Sequence, residues 1–208
     1  MLESTYSLLK LSILGLVILS SSLAQSVTGS GSASGACTVS AVGIFFNASG
    51  TNTAANPLTP GNSSNTGSFT GLASGTIRNL PGTIVPGPLV MKNFATFATA
   101  AGTIVFDLQS VAPGVGSNAQ CASTAVGEAC TPTGSPLTLA QIAPNAVGIW
   151  VTLNGLAYLA TTGSGSASTA ASISIQTILD GTVPAVLAGI GSNEGLHNLP
   201  AQLVVITQ

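Results

Sequence analysis

The chain has 208 residues, of which 3 are Lys or Arg and 5 are Asp or Glu, and its net charge is −2 at pH 7. Nucleic-acid binding depends on many Lys and Arg contacts to phosphates, so this composition excludes that class of function. Hydrophobic residues make up 45% of the chain. A nearly neutral and apolar composition predicts a folded protein rather than a disordered one.

The N-terminus has the three parts of a secretory signal peptide. Lys10 is the basic residue of the first segment, residues 11–19 form an apolar run, and Ser22 and Ala24 supply small side chains for cleavage. We therefore expect residues 1–24 to be removed, so that the mature chain begins at Gln25. A membrane anchor is the alternative, but the apolar run is shorter than the roughly 20 residues that cross a bilayer. The rest of the chain has no apolar segment of that length, so we expect no transmembrane segment in the mature protein.

The mature chain is long enough for one domain with a sizeable core. Residues 25–36 are rich in Gly and Ser and are predicted to form a flexible leader. Residues 37–208 are predicted to form the folded domain.

Short β-branched or aromatic runs separated by Gly, Pro, Asn and Ser indicate an all-β domain. The predicted strands are residues 37–46, 67–72, 74–80, 89–98, 102–111, 136–142, 147–160, 170–179 and 201–207. Several of these runs alternate apolar and polar residues, which is typical of strands with one buried face. Their number and spacing predict a single β-sandwich or jelly roll. A short helix is predicted at residues 183–190, and residues 47–66 and 112–136 are long loops where a ligand site would be expected.

The cysteines fit an exported protein. Cys121 and Cys130 are close in sequence, and in an oxidising compartment they are expected to form a disulfide bond. Cys37 is left without a partner in the chain. We interpret it as a small buried residue, with an intermolecular disulfide as the alternative.

Three segments carry a resemblance to a known group of proteins. They are Gly-Thr-Ile-Arg-Asn-Leu at residues 75–80, Phe-Ala-Thr-Phe at 94–97 and Ile-Val-Phe-Asp-Leu-Gln-Ser-Val at 104–111. In this order they resemble secreted bacterial β-sandwich proteins that often carry a PEP-CTERM sorting tail. Asn79 stands where that group has an acidic residue, and residues 201–208 contain no Pro-Glu-Pro motif. The resemblance implies export and a β-sandwich, and it implies neither the sorting route nor any catalytic residue.

Side chains suited to catalysis or metal binding are sparse. His197 is the single histidine, and a hydrolase triad would also need a placed nucleophile and carboxylate. Asp107 lies inside a predicted strand, where we expect it to accept hydrogen bonds from a neighbouring loop. The sequence contains no calcium-type acidic run and no paired zinc ligands. We therefore expect no enzymatic activity, no metal site and no cofactor.

Trp150 and Tyr158 are aromatic residues that could stack on a sugar ring. Both lie in the predicted strand 147–160, and residues eight apart in a strand point to the same face. A carbohydrate-binding or adhesion module is therefore the alternative functional hypothesis, although core packing is the commoner role of such residues.

The main functional hypothesis is a secreted, non-enzymatic protein of the cell surface or extracellular matrix. It would act through protein–protein contacts, either with other surface proteins or by self-assembly into filaments. β-proteins commonly protect exposed edge strands with charged side chains, and this chain has few of them. Residues 37–46 and 202–207 are the candidate edges for strand addition, and a monomer with its edges covered by the long loops is the competing interpretation.

Overall fold

A computed structural model describes residues 25–61, 65–160, 167–192 and 194–208. The predicted signal peptide, residues 1–24, lies outside the described residues. No helix in the described ranges is both long and apolar enough to cross a membrane.

Within these ranges the chain forms twelve strands and one α-helix. The strands are β1 (Ser30–Ser40), β2 (Gly43–Phe45), β3 (Asn56–Pro60), β4 (Ser74–Ile77), β5 (Leu80–Pro81), β6 (Gly87–Thr99), β7 (Gly102–Val111), β8 (Ala129–Cys130), β9 (Thr138–Ala143), β10 (Ala146–Ala160), β11 (Thr169–Asp180) and β12 (Leu196–Thr207). The helix α1 is Val183–Gly191, and 3₁₀ turns occur at Gly67–Phe69 and Asn118–Ala122.

The all-β prediction is confirmed, but the predicted sandwich or jelly roll is wrong. Eight antiparallel strands close into a barrel in the order β10, β11, β12, β1, β3, β4, β6 and β7, and β7 pairs back with β10. A sandwich and a barrel both bury one face of each strand, so they produce the same alternating pattern in a sequence. The long-range pairings decide between them.

Two long strands change partners along their length. β1 pairs with β3 at Ala33 and Ser34 and with β2 at residues 38–40. β10 pairs with β7 through residues 153–160 and with β9 through residues 146–150. The additional strands β2, β5, β9 and β8 therefore all lie at one end of the barrel. At this end residues 38–40 pair with β2 instead of β3, and residues 146–150 pair with β9 instead of β7. We call it the splayed end.

The two candidate edge strands are not edges. β12 pairs with β11 on one side and with β1 on the other, and β1 pairs with β12 and with β3 or β2. Barrel closure has occupied the main-chain groups that strand addition would need. Residues 30–36, in the predicted flexible leader, also differ from expectation because they form the first half of β1.

The barrel interior is filled by large side chains that lie against glycines. A Cβ atom on Gly31 would lie 2.5 Å from Cδ1 of Phe69, and one on Gly155 would lie 2.7 Å from Cζ of Phe106. Both phenylalanines are fully buried. Since an eight-stranded barrel is just wide enough for side chains to fill it, these two phenylalanines fit because the residues beside them are glycines.

Asp107 holds an irregularity in β6. The register between β6 and β7 shifts between Met91 and Ala95, and Asn93 has φ 51°. The Asn93 N–H donates to Asp107 Oδ1 at 2.7 Å, and Lys92 Nζ lies 2.7 Å from Asp107 Oδ2. The Asp107 side chain is 6% exposed, whereas that of Lys92 is 74% exposed. Asp107 therefore accepts hydrogen bonds, as predicted, but from an irregular part of strand β6 and not from a loop.

The helix α1 follows β11 at the splayed end. Pro184 lies in its first turn, where a missing N–H costs nothing. The Val183 N–H donates to Oε1 of the buried Gln141 at 3.0 Å, and Gln141 Nε2 donates to the carbonyl oxygen of Gly181 at 3.1 Å. Gln141, on β9, thereby fixes the start of the predicted helix.

The remaining differences concern the start of β12, which is Leu196 rather than residue 201, and some short elements. The predicted strand at 67–72 is a 3₁₀ turn at Gly67–Phe69, while β3 and β8 lie inside the two predicted long loops. These strands have only five and two residues. β3 pairs with β1 and β4, and β8 pairs with β9, but both strands are too short to be recognised from an alternating pattern.

We expect Asp107→Ala to lower the free energy of unfolding by about 2 kcal/mol, because the part-buried Asn93 N–H loses its hydrogen-bond acceptor. Lys92→Met should have a smaller effect, since ion pairs with an exposed partner contribute little. Urea denaturation of the two variants with the disulfide bond intact measures both. An equal loss in the two variants would show that the ion pair, and not the main-chain hydrogen bond, holds this part of β6.

Candidate functional site

The predicted disulfide bond is confirmed. Cys121, in the 3₁₀ turn, is bonded to Cys130 of β8, with their Cα atoms 5.2 Å apart, and both residues are buried. A closed loop of this size stabilises by about 2 to 3 kcal/mol on the chain-entropy model. The bond ties the predicted loop 112–136 to the strands at the splayed end.

Cys37 is an unpaired, buried cysteine. It lies on β1 and is 1% exposed. Burial raises the pKa of its thiol to about 12, because the charged thiolate is poorly solvated there. At neutral pH this thiol is therefore unreactive, and its position agrees with the interpretation of Cys37 as a small core residue.

A network of asparagines fixes the first half of the predicted loop 47–66. Asn79, which is 2% exposed, accepts hydrogen bonds from the Phe46 N–H at 2.7 Å and from Asn56 Nδ2 at 2.8 Å. Its own Nδ2 donates to the carbonyl oxygen of Thr51 at 3.0 Å. An amide both donates and accepts here, which a carboxylate cannot do. This accounts for asparagine at position 79 and assigns the segment a structural role.

His197 has no catalytic partner among the described residues. It is exposed on β12, and its Nδ1 lies 3.4 Å from Thr38 Oγ1. The described part of the chain also contains no group of three or more His, Cys, Asp or Glu side chains placed to hold a metal ion.

Trp150 and Tyr158 lie half-buried on the outer face of β10, and the side chains between them alternate inward and outward. Eight strand residues separate them by about 26 Å, so they do not form one continuous stacking surface. The Trp150 ring lies over Gly148. Burial raises the pKa of Tyr158, with a further contribution from the Asp107 carboxylate. The sugar-stacking role of these residues stays a prediction.

A large part of the barrel exterior is uncharged. The outward side chains of β10, β11, β12 and the start of β1 form adjacent rows, for example Thr152, Ser174 and Val204. Val204, Ile206 and Ile178 are 40%, 48% and 48% exposed. We call this surface the uncharged face. Its members are Trp150, Thr152, Asn154, Ser172, Ser174, Gln176, Ile178, Gln202, Val204, Ile206, Ser30 and Ser34.

A cleft of about 210 Å³ opens at the splayed end. It lies between β2, the segment after β5, the loop before β9 and the last turn of α1. Its apolar lining comes from Ala41, Ile44, Ile84, Pro136, Leu137 and Ile190, and hydroxyl groups come from Ser40, Thr83, Thr133 and Ser135. None of the described residues that line it is charged. The predicted loop 112–136 thus contributes to a cavity, as expected of a long loop, together with residues that no local pattern connects.

A second, much smaller cavity lies behind the cleft. Its volume is about 10 Å³, and Ile44 and Leu137 border both spaces. Thr177, from β11, also lines it and is 4% exposed, and its Oγ1 has no hydrogen-bond partner among the described residues. No local pattern in the sequence indicates this arrangement, because Thr177 is one more alternating residue of a predicted strand.

Comparison with models of known protein families, with curated proteins and with solved structures finds no match to this chain. The resemblance to the PEP-CTERM-associated proteins therefore stays a prediction.

Proposed function

We propose that this protein is an exported, non-enzymatic component of the cell surface or extracellular matrix that acts through protein–protein contacts. The uncharged face is the observation that carries this proposal. It presents exposed valine and isoleucine side chains between rows of serine, threonine and glutamine, and no charge on it opposes the approach of another surface. The N-terminal pattern supports export, and so does the disulfide bond, since such bonds persist in oxidising compartments.

The proposed contact uses side chains rather than strand edges. Because β1 and β12 are each paired on both sides, another chain cannot extend the sheet at either strand. The outward side chains of these strands remain available. A face without charges is compatible with a second copy of itself, since a two-fold contact places like surfaces together.

The size of the face limits the strength of such a contact. Four strands about 4.8 Å apart and about 25 Å long offer roughly 400 Å², which is about half of the area that each partner buries in a standard interface. We therefore propose weak self-association that becomes significant at high local concentration, as on a cell surface or in a matrix.

We expect the mature protein to associate at high concentration and Val204→Lys to abolish this, because the new charge would have to be buried in the contact. Val90→Lys is the matched control, since Val90 is 70% exposed on β6, outside the uncharged face. Size-exclusion chromatography with light scattering measures the mass of each variant. Electron microscopy of the same samples tests for filaments.

Two results would contradict self-association. One is a strict monomer at high concentration, which would leave contacts with other proteins as the remaining form of the proposal. The other is equal disruption by Val204→Lys and Val90→Lys, which would place the contact elsewhere. Circular dichroism confirms that each variant retains its strands.

Export has its own test. The protein recovered outside the cytoplasm should begin at Gln25 by N-terminal sequencing, because signal peptidase cleaves after the small residue Ala24. Recovery of intact Met1 in the cytoplasmic fraction would contradict the proposal.

A carbohydrate-binding role is the second candidate, and the side chains next to Trp150 on the neighbouring strands favour it. Trp150 is in register with Thr138 on β9 and Gln176 on β11, and Gln176 is in register with Gln202 on β12. An aromatic ring flanked by amide and hydroxyl groups combines stacking with hydrogen bonding, which is how proteins commonly hold a polar ligand.

If this role is correct, a glycan array should give a signal that Trp150→Ala reduces by about tenfold or more, since it removes the aromatic contact. Leu156→Ala is the matched control, because Leu156 also points outward from β10. No binding by the folded protein across a broad array would leave protein–protein contacts as the sole candidate.

A further inference from the structure

We propose that the cleft at the splayed end binds a small uncharged molecule that has an apolar body and one hydroxyl or carbonyl group. The apolar body lies in the cleft, and its polar end is directed towards Thr177. This site is separate from the uncharged face, so it is independent of the role proposed above.

The lining of the cleft sets the charge of the ligand. Ala41, Ile44, Ile84 and Ile190 provide apolar contacts, and the polar groups around them are hydroxyls. A charged ligand buried here would lose its hydration without gaining an ion pair, which is strongly unfavourable. An apolar body with an uncharged polar group avoids that cost.

The position of the cleft agrees with a binding role. Ligand sites are commonly found at the mouths of β-barrels, where they combine an apolar wall with a few polar groups. At about 210 Å³ the cleft is below the roughly 300 to 1,000 Å³ of drug-sized pockets, so the ligand must be small.

Thr177 sets the orientation of the ligand. Its buried Oγ1 has no hydrogen-bond partner among the described residues, and a buried hydroxyl without a partner is unfavourable. The cavity beside it has room for about one water molecule. A hydroxyl or carbonyl at the inner end of the ligand would supply the missing partner.

Leu137, like Ile44, borders both the cleft and this cavity. It lies outside the strands, between the disulfide-bonded segment and β9, and its N–H donates to Ser135 Oγ at 3.1 Å. A side chain on a loop moves at lower cost than one such as Ile149, which is paired on both sides within β10. Displacement of Leu137 therefore joins the two spaces when the ligand enters.

The test uses N-phenyl-1-naphthylamine, an uncharged fluorescent probe, with the mature protein. We expect its fluorescence to rise on binding and Ala41→Trp to weaken binding about tenfold or more, because the indole occupies the cleft. Ala101→Trp is the matched control, since Ala101 is an exposed alanine in the turn between β6 and β7. Leu137→Ala should strengthen binding several-fold by joining the cleft to the cavity.

Competition by 1-octanol, octanoate and octylammonium then tests the ligand class. The alcohol should displace the probe at a concentration about tenfold or more below the two charged compounds. Thr177→Val should weaken the alcohol about fivefold and leave the probe unchanged, because one hydrogen bond is lost. No probe binding, equal binding by Ala41→Trp and the wild type, or equal competition by the three compounds would each overturn the proposal, as would an unchanged alcohol affinity in Thr177→Val.

Discussion

The width of the barrel interior is the constraint on which the rest of this structure depends. An eight-stranded barrel has just enough internal space for side chains, so some of its large residues fit only beside glycines. Phe69 lies against Gly31, and Phe106 lies against Gly155. If either glycine carried a side chain, the phenylalanine opposite it would have to move and the strands could not keep their present spacing. Two of the aromatic residues that fill the core therefore depend on glycines that are distant from them in the chain.

Closure of the barrel affects the two ends of the long strands differently. In the closed part of the barrel, β1 and β12 have partners on both sides, and only their outward side chains can meet another molecule. At the splayed end, β1 exchanges β3 for β2 and β10 exchanges β7 for β9. The disulfide-bonded segment and α1 lie at the same end. They do not fill it completely, and the cleft with the small cavity behind it is what remains. Both proposed binding surfaces thus follow from the way in which two strands change partners.

The few charges of the chain are used locally. Asp107 and Lys92 stabilise the irregular part of β6, and the hydrogen bond to Asp107 raises the pKa of Lys92. This pair lies on β6 and β7, away from the uncharged face, and Asp180 lies at the end of β11, beyond Ile178. An uncharged surface gives no long-range attraction and no repulsion, so contacts there depend on local concentration and on the fit of side chains. Such a surface is compatible with the weak self-association proposed above.

Local patterns in the sequence determined much of the secondary structure and little of its arrangement. The alternating residues of β7, β10 and β11 predicted those strands to within one residue at each end, and the spacing of Cys121 and Cys130 predicted their bond, because strand alternation and short loop closure are local properties. The expected role of Asp107 followed in the same way from a carboxylate inside a strand. Barrel closure, the pairing of Gly31 with Phe69, the loss of free edges at β1 and β12, and the meeting of Ile44, Leu137 and Thr177 at the splayed end were decided by the tertiary structure alone. These contacts join residues far apart in the chain, and an alternating strand shows which residues it buries but not which strand lies beside it.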